Sequence, residues 1–457
     1  MIYRERFIFD FIKKFVSPSE VSDFESGFVV YPRSAHTVSR AQISANALKV
    51  LYRLKSHGYQ SYLVGGCVRD LLLGLEPKDF DVVTDASPEQ VKAVFRNCRL
   101  IGRRFRLAHV HFGREIIEVA TFRGSAHDES GVDRVHENGR LLCDNVYGTI
   151  EEDVWRRDFT VNALYYNIRD FSIIDYVDGY SDHQHGVLRL IGDATVRYRE
   201  DPVRMLRAVR FSAKLDFQLD SDSAGAIGEM AGLLQDVPSA RLYDEILKLF
   251  LSGTAVTVFE LLENYRLFAV LFPDMDKRLR QSKGDYPRAL LLQALANTDS
   301  RIAEGKPVTP YFLLATFLWD AVQSLVAIKV QKGMNVFLAF QEAGNEVIAF
   351  QVKYTAFPKR VGLSMREVWG LQSRFEQRGG ARAFRVLAHP RFRAAYDFLV
   401  LRADTGNADP ELAQWWTDFQ EADDERKKEM VRSVQGVKKR GRRRKTTTVR
   451  DKRVVIS

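Results

Sequence analysis

The chain has 457 residues, 46% of them hydrophobic and 28% charged, with a formal net charge of +9. That length exceeds one hydrophobic core and implies roughly two to four domains, while the apolar fraction excludes disorder throughout. The charge is uneven: residues 426–453 carry 14 Lys/Arg against 2 Asp/Glu, so a +12 C-terminal stretch follows a remainder of −3. Such a stretch suits a polyanionic partner, although a solvated tail with no partner has the same composition.

In chain order, residues 1–40 read as a loosely ordered extension. A helix is expected at 44–56, with Ala47, Leu48, Leu51 and Leu54 on one stripe and His57-Gly58 ending it. Tyr62-Leu63-Val64 reads as a buried strand running into Gly65-Gly66, then a helix at 68–73 stopped by Gly74. A strand at 80–83 and a helix at 88–95 follow, with Ser87 as N-cap and Pro88 at the first helical position. Leu107–Phe112 and 115–122 form a hairpin turned at Gly113-Arg114. Beyond about residue 190 helical periodicity dominates, with 297–310 as a polar connection. The end of the chain, KKRGRRRKTTTVRDKR, has no hydrophobic period and is expected to be disordered alone. Three cysteines, Cys67, Cys98 and Cys143, lack any CxxC spacing, which fits a reducing cytosol better than a disulfide framework or zinc ribbon. Residues 311–330 come nearest to a membrane span, but Asp320, Gln323 and Lys329 interrupt them, so no span is expected.

The chemistry concentrates in LVGGCVRDLLLG followed by KDFDVVT. Asp79 and Asp81, two apart in a strand, would leave the same face, with Phe80 and Val82 turned to the core. Two adjacent like charges are costly unless a cation compensates them, and phosphoryl chemistry with two magnesium ions needs such a pair. Glu118, a carboxylate inside the apolar run EIIEVATF, is the candidate third member. A DxD pair alone also serves as a turn or cap. Gly65-Gly66 at a strand-to-helix turn lets backbone approach a triphosphate, and Arg69 adds positive charge, with Asp70 following. Asp158 suits an N-cap of a helix over 159–165, paired with Arg156 or Arg157, with Asn162 one turn on. After Asp201-Pro202, Arg204, Arg207 and Arg210 recur at spacing three, opposite an apolar face of Met205, Leu206 and Val209. Glu200 paired with Arg204 is the purely structural alternative, worth about 0.2–0.5 kcal/mol.

The glycine–DxD run resembles the signature of class II nucleotidyltransferases, the family that includes bacterial poly(A) polymerases and CCA-adding enzymes. RRDFTVNAL (156–164) is similar to that family's ribose and phosphate motif, and EDPVRMLRAVRF (200–211) to its nucleotide-base motif; the resemblance spans 40–400. It implies an α+β fold: a nucleotidyltransferase head of mixed β-sheet and helices (41–190), an all-α neck binding nucleotide and RNA (191–280), an all-α RNA-binding body (281–425) and a disordered basic tail (426–457). It implies Asp79, Asp81, Glu118 and Asp158 as catalytic, the first three holding two Mg2+ ions, with Mn2+ as the alternative. Substrate ATP would meet Gly65, Gly66, Arg69, Asp70, Arg157, Asn162, Glu200, Asp201, Arg204, Arg207 and Arg210. RNA would meet Arg103, Arg104 and Arg106 and, in the tail, Lys438, Lys439, Arg440, Arg442, Arg443, Arg444 and Lys445.

LIGRRFRLAHV (100–110) and ARAFRVLAHPRFRAAYDFLVLRA (381–403) resemble the poly(A)-forming branch, which implies AMP addition to RNA 3′ ends by a cytoplasmic monomer, with RNA-decay proteins as further partners. CCA addition to tRNA is the competing reaction, and a non-catalytic RNA-binding protein the competing class. His109 and His111 face one way on a strand without a third ligand nearby; His183 and His185 read as loop residues; Trp415-Trp416 reads as helix packing rather than base stacking.

Overall fold

The computed structural model describes residues 27–102, 106–124, 134–137, 140–144 and 146–444, with the backbone alone for 134–137, 140–144 and 435–444. The chain forms two compact units: Met1–Arg204 with Leu215–Met230, and Met205–Lys214 with Ala231–Ser457.

In the first unit, β1 (Val29–Tyr31), β2 (Ser61–Val64), β3 (Asp81–Thr84), β4 (Cys98–Ile101), β5 (Leu107–Phe112) and β6 (Glu115–Thr121) join one sheet. A two-stranded ribbon, β7 (Arg134–Glu137) and β8 (Arg140–Asp144), stands apart, and β9 (Leu164–Asn167) and β10 (Ile173–Asp175) complete eight strands in the order β1-β10-β9-β2-β3-β6-β5-β4. Only β3 and β6 run parallel; the other neighbours are antiparallel. Strand alternation sends Leu63, Val82 and Tyr166 into the larger core and Val64, Val83 and Tyr165 into a smaller one on the opposite face. The helix Ala45–Ser56 covers the larger core with Ala47, Val50, Leu51 and Leu54; Val50 joins the expected stripe, and Leu48 packs at its edge. Ser44 caps it through the Ala47 N–H, and Gly58, at φ +88°, turns the chain away. Ser87 and Gln90 form a reciprocal capping box at the helix Pro88–Val94. Cys67 and Cys98 are buried free thiols; the Cys143 side chain lies outside the described residues.

Six local expectations are revised. Within the extension expected over 1–40, Val29–Tyr31 is the edge strand β1, paired with β10, and Val38 is fully buried. The strand starts at Asp81, so Asp79 is an exposed residue of the preceding loop. Residues 159–165 are not a helix: a 3-10 turn, Thr160–Asn162, leads straight into β9, because Leu164, Tyr165 and Tyr166 are claimed by both faces of the sheet. His183 and His185 sit in the helix Gly179–His185, where burial pushes His183 down to about 4. The helix Arg288–Ala303 runs through the start of 297–310, since Thr298 is buried with its hydroxyl returned to the Ala294 carbonyl. The helix Asp424–Arg444 occupies the first part of 426–457, begun by Asp424 and Glu425 at its positive end; 445–457 lie outside the described residues.

The second unit is helical. Its core includes a cluster in which Phe317 meets Phe250, Phe268 and Phe272 edge to face and Phe268 lies tilted against Phe272. No single helix among the described residues is long and apolar enough to cross a membrane; Pro310–Phe317 and Trp319–Gln331 pass together by length and composition, but are bent by 54° and bury Leu313, Phe317, Trp319 and Val322. Trp416 is fully buried and donates to the Phe375 carbonyl at 3.0 Å, while Trp415 stacks on Phe419.

Candidate active site

Asp81 opens β3 in direct register with Glu118 of the parallel strand β6, so both carboxylates leave the same face. Glu118 is paired in turn with His109 of β5, whose Nε2 lies 3.3 Å from Glu118 Oε1; His111 follows on the same face. Phe80 and Val82 point the other way into the core. Burial, and then the charges of Glu118 and Asp79, push the Asp81 carboxyl up to about 6, with Arg157 opposing them. Neither Asp79 nor Asp81 has a side-chain hydrogen-bond partner among the described residues, and no group of three His, Cys, Asp or Glu there is gathered tightly enough to hold an ion as it stands. Hard oxygen donors whose mutual repulsion Arg157 only partly offsets are nonetheless the donor set that a divalent cation requires, so Asp79, Asp81 and Glu118 fit one.

Gly65 forms the floor. Its φ of +80° favours glycine, and a Cβ there would lie 3.7 Å from Arg157 Nη1 and 3.8 Å from Asp81 Oδ2. Arg157 is pinned behind it: Nε donates to Tyr165 Oη and Asp153 Oδ2, Nη2 donates to Asp153 Oδ2 at 2.8 Å, and Tyr165 Oη donates to the same oxygen. Burial works against this guanidinium's charge, but Tyr165 and Asp153 more than offset it and hold the group above its ordinary value.

Arg69 lies elsewhere than an exposed phosphate ligand would. It is 2% exposed, bound to Asp70 and donating to Asn162 Oδ1 at 2.7 Å, so it ties the helix Gly66–Leu72 to the Thr160–Asn162 turn. Asn162 Nδ2 in turn donates to Asp158 Oδ1 at 3.3 Å, and the Phe159 N–H donates to the same oxygen at 2.9 Å. Glu200 receives both Arg197 and Arg204, and Arg204 also caps the Arg197 carbonyl; the Glu200–Arg204 pair spans the break at Asp201-Pro202 rather than lying within one helix. Asp201 Oδ1 accepts the Val203 N–H at the start of the helix Val203–Leu215. In the second unit, Arg207 and Arg210 lie against the Phe211 ring. Arg106 is ion-paired with Glu89 at the surface. Arg103, Arg104 and Lys445 lie outside the described residues, as do the side chains of Lys438, Lys439, Arg440, Arg442, Arg443 and Arg444.

Three residues that the sequence motifs do not single out belong to this neighbourhood: Asp153, Tyr165 and Arg197. Arg197 donates to the carbonyls of Arg156 and Arg157 as well as to Glu200, and Asp158 contributes to its charge balance. Asp153 stands four residues before Arg157 on a helix, the spacing of a side-chain pair, and that signal is readable in the sequence.

A mixed sheet presenting paired carboxylates beside a glycine floor and a pinned guanidinium is the framework of a nucleotidyltransferase, and comparison with known proteins agrees. Residues 61–189 match the family described as "Poly A polymerase head domain", 216–279 "Probable RNA and SrmB- binding site of polymerase A", and 332–450 "Polymerase A arginine-rich C-terminus". A solved structure titled "tRNA-processing enzyme (apo form I)" shares the fold at a TM-score of 0.59 and 22% identity, over 86% of this chain and 98% of that one. Poly(A) polymerase I of Escherichia coli O6:H1 is 51% identical over 400 residues, 86% of this chain and 85% of its own. The CC-adding tRNA nucleotidyltransferase of Halalkalibacterium halodurans is more distant, 37% identical over 45% of this chain and 48% of its own. The chain belongs to the bacterial poly(A) polymerase family and is an enzyme. That family uses ATP and a divalent metal.

Proposed function

We propose that this protein adds AMP from ATP to RNA 3′ ends without a template. The RNA 3′ oxygen bonds to the α-phosphorus, the bond from that phosphorus to the bridging oxygen breaks, and pyrophosphate leaves with its electron pair. The register pairing of Asp81 with Glu118 beside the Gly65 floor carries the reading. Divalent cations on Asp79, Asp81 and Glu118, two Mg2+ on this reading with Mn2+ as a substitute, supply charge neutralisation at the reacting phosphates and acidify the attacking hydroxyl. Glu118, with its side chain 48% exposed, is open to take up the proton released by the 3′ hydroxyl. Gly65 and Gly66 leave room for the triphosphate, and Arg157, already fixed by Asp153 and Tyr165, offers charge without further ordering. Arg69 and Asp70 act from behind, setting Asn162 and through it Asp158 for the ribose. Glu200, Asp201 and Arg204 serve the base. The reading includes a cytoplasmic monomer whose products feed RNA decay.

The test is incorporation of each labelled nucleotide separately into an RNA primer. Long ATP-only extension is expected, and CTP use on tRNA lacking its CCA end would favour the other branch. Asp81→Ala should lower AMP incorporation at least ~1000-fold while the thermal transition persists; retained activity rejects the assignment.

A further inference from the structure

A cleft of about 1080 Å³ opens within the second unit, far larger than the 290 Å³ pocket around Tyr286. Its wall carries Arg374, Arg382, Arg385 and Arg402 against two carboxylates, Glu376 and Asp409. Asp409 is engaged in capping its own helix through the Glu411 N–H. None of the four arginines has a carboxylate within ion-pair distance among the described residues; Arg402 donates only to neutral oxygens, those of Gln372 and Asn407. Its guanidinium lies over the Trp319 ring at 4.4 Å, and Trp319 stacks in turn on Phe340. Burial pulls Arg402 down to about 10, with Tyr286 and Glu376 offsetting it only in part, so the fold holds an under-compensated cation at this wall. At the rim, Phe337 is 42% exposed with Arg374 over its ring at 5.2 Å, beside exposed Val336.

We propose that this cleft is a subsite for single-stranded RNA, holding a stretch of the strand other than its reacting 3′ end. A base stacks at the Phe337–Arg374 pair, and Arg382 and Arg385 meet phosphates. Positive charge in excess of the wall's carboxylates asks for a polyanion, and an open aromatic face asks for flat apolar groups; single-stranded nucleic acid supplies both at every residue. The volume lies at the upper end of small-ligand pockets, about 300–1,000 Å³, and so suits more than one nucleotide. The proposal rests on RNA being the substrate.

The test compares the full-length protein with Phe337→Ala/Arg374→Ala and with Arg382→Ala/Arg385→Ala, all exposed or half-exposed positions. Binding of a fluorescein-labelled 20-mer oligo(A) is measured across a salt series, and AMP addition is measured on the 20-mer and on a trinucleotide primer. Phe337→Ala/Arg374→Ala should weaken 20-mer binding about tenfold. Arg382→Ala/Arg385→Ala should make the log–log salt dependence shallower by about 0.7 for each phosphate no longer neutralised. In both, AMP addition to the trinucleotide should match wild type. Unchanged 20-mer affinity and salt dependence in variants with the wild-type melting temperature overturn the subsite, whether the cleft then takes free ATP or a protein. Failure of the wild type itself to incorporate AMP is the separate result that would reject the parent reading.

Discussion

Asp81 carries a charge that its surroundings compensate only in part. Its carboxyl titrates near 6 in the folded protein, against an ordinary 3.8, through burial and the charges of Glu118 and Asp79. A group that binds its proton more tightly when folded favours the folded state at low pH. Stability is therefore fullest below pH 3.8, falls as pH rises from 3.8 to about 6, and stays reduced above. Asp81→Asn keeps the shape and removes the charge. In EDTA at pH 8 the variant should be more stable than wild type by on the order of 2 kcal/mol, with the gain vanishing toward pH 4. Mg2+ should close the gap from the other side, raising the melting temperature of wild type and not of the variant. Thermal melts at both pH values, with and without metal, read this directly. An equal gain at pH 4 and pH 8 would mean that repacking, not charge, is responsible.

At the scale of elements, the parts of the head with strong local signals are legible in the sequence. Capping residues and periodicity mark Ala45–Ser56 and Pro88–Val94, alternation marks the β5–β6 hairpin, and the glycine pair marks the turn into Gly66–Leu72. The paired carboxylates are legible as residue types, but that Asp81 meets Glu118 in register depends on a parallel pairing 37 positions apart in the chain, which no local pattern encodes. The 159–165 stretch misleads for the same reason: its apolar residues satisfy a helix locally and a sheet globally, and the sheet wins by burying Leu164, Tyr165 and Tyr166 completely. Arg69 resembles a ligand because sequence does not report burial. What fixes the Thr160–Asn162 turn is a close approach: a Cβ on Gly179 would stand 2.2 Å from the Thr160 carbonyl oxygen, while Thr160 Oγ1 donates to Asp182 of the same helix. A backbone oxygen cannot swing aside, so Gly179→Ala should destabilise the head by about 2 kcal/mol or more and lower AMP incorporation by displacing Asn162. Gly225→Ala, in the helix Ser221–Met230 with nothing within 4 Å, should instead be neutral or stabilise by up to about 1 kcal/mol. Melting temperatures in the order Gly179→Ala below wild type, and Gly225→Ala at or above it, check both; the reverse order refutes the packing argument.

Over the whole molecule, charge is divided by position in the chain: the −3 of residues 1–425 accompanies the +12 of 426–453. The helix Asp424–Arg444 offsets little of this. Its pairs Lys428–Glu425 and Arg426–Glu429 are exposed and worth little in water, and Val431 anchors it by burial. Residues 438–457 hold ten Lys/Arg and one Asp beyond that anchor, so removing them takes away most of the positive charge of this end. If they follow an RNA strand, each phosphate they neutralise contributes about 0.7 to the slope of log affinity against log salt. A protein ending at residue 437 should therefore bind a 20-mer with a slope shallower by about 2 or more, equivalent to roughly three phosphates. Its initial rate of single-AMP addition at saturating primer should be unchanged, because the proposed chemistry stays with Asp81 and Glu118. The remaining slope should be the part sensitive to Arg382→Ala/Arg385→Ala, and the two reductions should add. A truncated protein with the wild-type slope would assign the whole electrostatic interaction to residues before 438 and leave the basic end without a part in RNA binding.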